Sequence, residues 1–204
     1  MNKKNENYFM MEGMKISKTT LKFMPEFTKK NIREIKKNYI SEMHPALEVR
    51  ENSIEGQGVF SKREIKKGEV LVVFKGYMIS RKEIELLNEV DLNYITQFDE
   101  NLFMFSPIRE PGDFFNHSCS PNAGFSQMEK YGLVAMRDIK KDEEVTYDYS
   151  IEGNYPDETW KCLCGNYNCR KYIKPDDWKI TYKKYKGYLS PYIKKLVKKL
   201  PNNN

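Results

Sequence analysis

A chain of 204 residues with 35 basic and 29 acidic side chains has room for one domain with extensions rather than for two full cores. Hydrophobic residues make up 39% and charged residues 31%, which excludes a collagen-like or largely disordered chain. No stretch approaches the ~20 apolar residues that cross a bilayer. Near the start the only apolar run is Tyr8-Phe9-Met10-Met11. That is shorter than the roughly 7–15 apolar residues of an export signal, so a cytoplasmic or nuclear location without membrane contact is expected, with a secreted effector as the alternative.

The charge is uneven. Residues 1–50 carry a balance of +5, residues 51–174 of −5 and residues 175–204 of +6. The acidic middle is either an ordinary solvated surface or a working face that draws in a cationic partner, since long-range fields raise encounter rates.

Residues 1–25 are polar and Lys-rich, with Pro25 as a breaker, and read as loosely ordered. Ile32, Ile35, Tyr39 and Met43 are spaced for one face of a helix over 26–43. Leu47 and Val49 begin a β region that continues through Gly56-Gln57-Gly58-Val59-Phe60, turns at Lys66-Lys67-Gly68 and re-enters as Val70 to Phe74. Ser80 and Glu83 form a capping box for a short helix to about Asn88. Further short strands are expected at 101–106, 131–136 and 144–149. The stretch Arg63 to Val70 echoes Arg137 to Val145, which reads as two similar β-turns. In the tail, Ser190-Pro191 is an N-cap followed by proline at the first helical position. Tyr192, Ile193, Leu196, Val197 and Leu200 then make an apolar stripe opposite Lys194, Lys195, Lys198 and Lys199. This predicts a docked helix whose basic face is solvated, with at most weak contact to nucleic acid.

The cysteines are Cys119, Cys162, Cys164 and Cys169, three of them within eight residues. Two disulfides fit poorly in a chain without an export signal, and a run among Gly, Asn and charged residues is no core. Four thiolates suit a tetrahedral zinc, provided that the fold brings Cys119 to the other three.

Gly56-Gln57-Gly58 resembles part of a dinucleotide loop, but Ser61 stands where the third glycine belongs, and no helix follows. Asn116-His117-Ser118-Cys119 is either a buried hydrogen-bonding knot or, less consistently with zinc, a Cys–His nucleophile. Tyr147 and Tyr149 alternate on a strand and share a face, as core packing or as a phenolic pocket for a cation.

These segments, in this order and with the cysteine run, resemble the SET-domain protein-lysine methyltransferases with a post-SET zinc motif, from Leu47 to about Ile173. The resemblance implies a mainly β fold of short sheets with a knot-like threaded segment, flanked by N- and C-terminal helices. It divides the chain into an extension (1–45), the SET domain (46–150), a zinc loop (151–174) and a basic tail (175–204). It implies S-adenosylmethionine held around Gly56, Gln57, Gly58, Asn116, His117, Tyr149 and Leu163, with Tyr149 at methyl transfer and Tyr147 setting how many methyl groups are added. It implies structural zinc on Cys119, Cys162, Cys164 and Cys169. The implied partner is a lysine-bearing basic protein, met by a monomer. The chain departs from the family at Phe74-Lys75-Gly76-Tyr77, where a channel tyrosine is usual, so a phenol is lost or moved to Tyr77. The competing reading is a zinc-stapled module that recognises lysine without methylating it.

Overall fold

The computed structural model describes the backbone of residues 8–11, 14–17, 37–52, 56–88, 91–127, 131–153 and 159–201, and side chains from residue 37 onward. The architecture is mainly β, built of several small sheets with short helices. Part of the expected loose N-terminal segment is ordered: β1 (Tyr8–Met11) and β2 (Met14–Ser17) pair antiparallel. Most of the expected 26–43 helix lies outside the described residues. Residues 37–39 are helical, and the segment ends earlier than predicted because β3 (Glu42–Met43) pairs with a strand instead.

That strand is β6 (Val70–Val73), which sits between β3 and β12 (Gly132–Ala135) in a four-stranded sheet completed by β11 (Ala123–Phe125). Leu71 and Val72 are fully buried, as an apolar run in a central strand should be, while Val70 at its start is exposed. A hairpin of β4 (Leu47–Asn52) and β5 (Gly56–Ser61) carries the first glycine motif. β7 (Tyr77–Ser80), β9 (Leu102–Phe105) and β8 (Ile95–Asp99) form a three-stranded sheet over a second cluster of Ile79, Leu87, Phe103 and Phe105. Tyr77 therefore joins this second cluster. Helix α1 (Arg81–Ile84) is shorter than expected, with single turns continuing to Leu87. Its capping carboxylate, Glu83, accepts the Ser80 backbone N–H at 2.7 Å.

The two echoing turns meet. Ile65 and Ile139 bridge antiparallel, and both are fully buried. Each turn repeats the same device: Glu69 accepts the Lys66 N–H and pairs with Arg63, and Glu143 accepts the Lys140 N–H and pairs with Arg137. Gly68 (φ 88°) and Asp142 (φ 63°) occupy the equivalent left-handed position, which glycine and aspartate tolerate best.

The main core runs from Leu47 and Val59 through Leu133 and Val145 to Tyr185 and Ile193 in the tail. Helix α2 (Trp178–Thr181) and helix α3 (Pro191–Lys198) close it. Ser190 caps α3 by accepting the Ile193 N–H at 3.1 Å, a device that stabilises by about 1 kcal/mol. Tyr192 and Ile193 are buried, and Leu196, Val197 and Leu200 pack against the same core. The stripe read from the sequence is thus the docking face, and full burial, as at Ile193, contributes roughly 1.5–3 kcal/mol. Lys195 reaches Asp99 on β8.

Candidate functional site

Two segments thirty residues apart are brought side by side. β10 (Asn116–His117) runs parallel to β13 (Thr146–Tyr147), pairing Asn116 with Thr146 and His117 with Tyr147. Ser118 N–H donates to the Tyr147 carbonyl at 3.0 Å. Asn122 locks the crossing from below: its Nδ2 donates to the Glu144 carbonyl at 2.8 Å and its Oδ1 accepts the Thr146 N–H at 2.9 Å.

The strand is shorter than the 144–149 expected. Asp148 ends it by accepting from the Ser150 N–H at 3.1 Å and the Ser150 hydroxyl at 2.8 Å, and Tyr149–Ile151 form a 3-10 turn. The tyrosines nevertheless come together, with Tyr147 and Tyr149 ring centroids 5.0 Å apart. Tyr147 stands edge-on to Phe125 at 6.0 Å and Tyr149 to His117 at 5.2 Å. The Tyr149 hydroxyl donates to the Phe115 carbonyl at 3.2 Å.

Both tyrosines line a cavity of about 380 Å³, together with Phe74, Phe115, Tyr94 and Glu152. Phe74 stands where a tyrosine was expected, and Tyr77 does not line this cavity. The third phenol is Tyr94, with the Arg109 guanidinium 3.3 Å from its ring centroid and Arg109 itself paired to the fully buried Asp91 at 2.5 Å. Tyr94 and Glu152 were not singled out from the sequence. Neither lies in a recognisable motif, and only the fold brings them to the cavity.

A second cavity, about 250 Å³ and polar, is lined by Asn52, Asn116, Ser118, Glu144, Thr146 and Asn166 among others. His117 borders both cavities, so the Asn116–His117 strand is the wall between them. Gly56 and Gln57 are exposed and Gly58 is buried. The Gln57 carbonyl accepts from Asn116 Nδ2 at 2.8 Å, and the Glu144 carboxylate accepts from both Asn116 and Asn52 at 2.8 Å. A Cβ at residue 58 would press on the Glu144 carboxylate and the Asn116 amide, so a side chain there would have to displace the ends of this network.

The cysteine loop hangs from a short ladder of β14 (Trp160–Lys161) and β15 (Tyr172–Ile173). Cys119 joins it: Cys119 Sγ lies 3.8 Å from Cys162 Sγ. His117, Cys119, Cys162 and Cys164 place their ligand atoms within 4.8 Å of one another, a donor set that suits zinc. Cys169 packs on the same cluster, outside that closest set of four. Backbone N–H groups of Arg170 and Lys171 point at the sulfurs of Cys119 (3.4 Å) and Cys169 (3.3 Å). Burial pushes the Cys119 and Cys162 thiols up; for Cys164 burial is outweighed by hydrogen bonds, chiefly from Asn166, which bring it down to about 6. Leu163, between two of the cysteines, is 46% exposed and borders neither cavity.

Arg170 couples this loop to the tyrosine segment. Its guanidinium grips the fully buried Asp148 carboxylate at 2.6 and 2.7 Å and reaches Asp177 at 3.1 Å. Burial alone would raise the Asp148 pKa, but this pairing holds it below the ordinary carboxylate value. Burial also depresses His117 to about 4, so its ring is neutral.

The SET-domain family model matches residues 56–150, the span that contains the glycine hairpin, the parallel crossing and both tyrosines. Residues 56–150 of the chain are thus a SET domain. It is 33% identical over 159 residues to the variant-silencing SET domain-containing protein of Plasmodium falciparum, covering 69% of this chain and 6% of that protein. It is 28% identical over 155 residues to the histone-lysine N-methyltransferase trithorax of Drosophila virilis, covering 71% of this chain and 4% of that protein. Human histone-lysine N-methyltransferase 2D is 28% identical over 135 residues, covering 59% of this chain and 2% of that protein. The chain thus spans a small fraction of the curated relatives it matches. A crystal structure of KRYPTONITE in complex with mCHG DNA and SAH aligns with a TM-score of 0.47 at 27% identity, covering 62% of this chain and 28% of that one.

Proposed function

We propose that this chain transfers methyl groups from S-adenosylmethionine to the side-chain amine of lysine in a basic protein. Histones are the first candidates, because its relatives bear the name histone-lysine methyltransferase, and a nuclear site of action follows from them. The observation that carries the reading is the wall of Asn116–His117 with a phenol-lined cavity on one side and a polar cavity on the other.

S-adenosylmethionine supplies a methyl group already activated on a sulfonium. The chain's task is then alignment, which can contribute ~7–11 kcal/mol. Asn116, His117 and the backbone at Gly56-Gln57-Gly58 would hold the donor, with Leu163 over it from the cysteine loop. The cavity of Phe74, Phe115, Tyr94, Tyr147 and Tyr149 suits the aliphatic stem of a lysine, and its phenol oxygens suit the amine. A low-dielectric channel disfavours the ammonium form, so the amine loses its proton to water before attack. Tyr149 would orient the lone pair. The Tyr147 hydroxyl takes space and hydrogen-bonding capacity that a third methyl would need, so mono- or dimethyl-lysine is the expected product.

Zinc would be structural, on Cys119, Cys162, Cys164 and Cys169. His117 is close enough to compete for the fourth place, but its Nδ1 accepts the Tyr149 N–H at 3.2 Å. The ring proton of the neutral imidazole then sits on Nε2, 3.3 Å from Cys119 Sγ, where it donates to sulfur and does not ligate.

The test is transfer of labelled methyl from S-adenosylmethionine to purified core histones and to whole cell extract. Label on lysine supports the reading. Tight S-adenosylmethionine binding with no labelled protein in either would overturn it in favour of a recognition module.

A further inference from the structure

Two acidic side chains line the larger cavity, Asp113 and Glu152, and the proposed chemistry uses neither; Glu152 is the one that meets a site tyrosine. Glu152 is 6% exposed, follows the 3-10 turn of Tyr149–Ile151, and lines the cavity beside Tyr147. The Tyr147 hydroxyl donates to Glu152 Oε2. Glu152 is fixed from behind by the tail. Its carbonyl accepts the Ser190 hydroxyl at 2.6 Å, the Ser190 N–H donates to the Ile151 carbonyl at 2.9 Å, and Ser190 is the residue that caps α3. A buried carboxylate aimed at a phenol inside a cavity is costly to keep and is not required by the packing of the tyrosine itself, which Phe125 already holds edge-on.

We propose that Glu152 is a positioning residue that accepts the Tyr147 phenol's hydrogen bond and so leaves Tyr147 able only to accept a hydrogen bond from the target amine. This rests on the lysine-methylating reading. The consequence follows from the chemistry of an amine nucleophile. Attack forms the nitrogen–carbon bond with the nitrogen lone pair while the carbon–sulfur bond breaks and its electron pair leaves with sulfur. A phenol free to donate would hydrogen-bond to that lone pair and hold it back. With its proton engaged by Glu152, Tyr147 can receive an N–H of lysine or of monomethyl-lysine and leaves the lone pair directed at the methyl carbon. Dimethyl-lysine has no N–H, so Tyr147 would face methyl groups with an unfilled acceptor, and the reaction stops there. The tail helix, through Ser190 and the Glu152 backbone, would thereby bear on the product made in a cavity that it does not line.

The experiment is a double-mutant cycle on the parent, Glu152→Met, Tyr147→Phe and the double variant, with core histones as probe. The readouts are the initial rate and the mono-, di- and trimethyl distribution by mass spectrometry. Glu152→Met, near in shape but unable to accept the phenol's hydrogen bond, should slow transfer by roughly tenfold or more. In the Tyr147→Phe background the same change should leave rate and distribution unaltered. Glu152→Gln, whose amide oxygen still accepts, should stay within about threefold of the parent. If the Met variant fails to melt cooperatively, Glu152→Leu takes its place. Equal loss in both backgrounds, or no loss in the first, overturns the proposal while leaving methylation itself intact. A parent that labels no histone lysine removes the reading beneath it and is recognised without any variant.

Discussion

The Arg170 guanidinium meets the Asp148 carboxylate through two near-parallel hydrogen bonds of 2.6 and 2.7 Å, joining the cysteine loop to the segment that carries both site tyrosines. Asp148 is fully buried and flanked by Tyr147 and Tyr149 in sequence, so its position dictates theirs. Arg170 follows Cys169 and gives its own N–H to Cys119. One residue therefore ties the three parts of the site.

Arg170→Leu strands a buried carboxylate, and a loss of about 3–5 kcal/mol in urea-unfolding stability is expected. Arg170→Lys should recover only a minor part, because an ammonium cannot reproduce the paired contact. If the lysine variant matches the parent, the forked geometry carries no stability of its own.

The Tyr149 hydroxyl, donating to the Phe115 carbonyl, stands between the His117 wall and the larger cavity. Tyr149→Phe should abolish turnover while calorimetry shows S-adenosylmethionine binding largely kept. Turnover that survives the change would mean that another phenol, Tyr94 or Tyr147, occupies the transfer point.

The sequence made some of this site legible and concealed the rest for physical reasons. Cys119 could be linked to a cluster forty residues on because soft ligands are few, and a count of four matches one tetrahedral ion. The α3 face was readable because apolar spacing and an N-cap agree locally. Tyr94, Glu152 and the Arg170–Asp148 pair were not readable: each acts through a contact across the fold, and a lone Tyr, Glu or Arg in a polar stretch has no local signature. The strand at 146–147 was overestimated because the alternation of Val145, Tyr147 and Tyr149 continues past the point where the Asp148 side chain turns the backbone. The β1–β2 pairing was missed because a Lys- and Asn-rich surround masked two short β-prone runs.

Zinc content distinguishes the two candidates for the fourth ligand. Purified under reducing conditions, the protein should carry about one zinc per chain. Cys169→Ser should lose it, while His117→Asn should keep it, since the imidazole is cast as a donor to sulfur rather than a ligand. Metal retained in the serine variant and lost in the asparagine variant would reverse the assignment. Chelation should lower the melting temperature and weaken S-adenosylmethionine binding together, because the same loop is proposed to cover the donor.

Stability should carry a pH signature from Asp113, which borders the larger cavity and accepts from the Ser106 hydroxyl and the Glu110 N–H, each at 3.0 Å. Burial, and after it the neighbouring Glu110 charge, raise its pKa from 3.8 to about 7. Between those values the folded protein holds a proton that the unfolded chain has released. The native state therefore binds more protons, and stability falls as pH climbs through that window. Asp113→Asn removes the ionisation and keeps an oxygen acceptor for the same donors. Its stability relative to the parent should rise steadily from about pH 4 to about pH 7 and level off above, read by urea unfolding at a series of pH values. A difference between the two proteins that stays constant with pH would mean that Asp113 is ionised throughout.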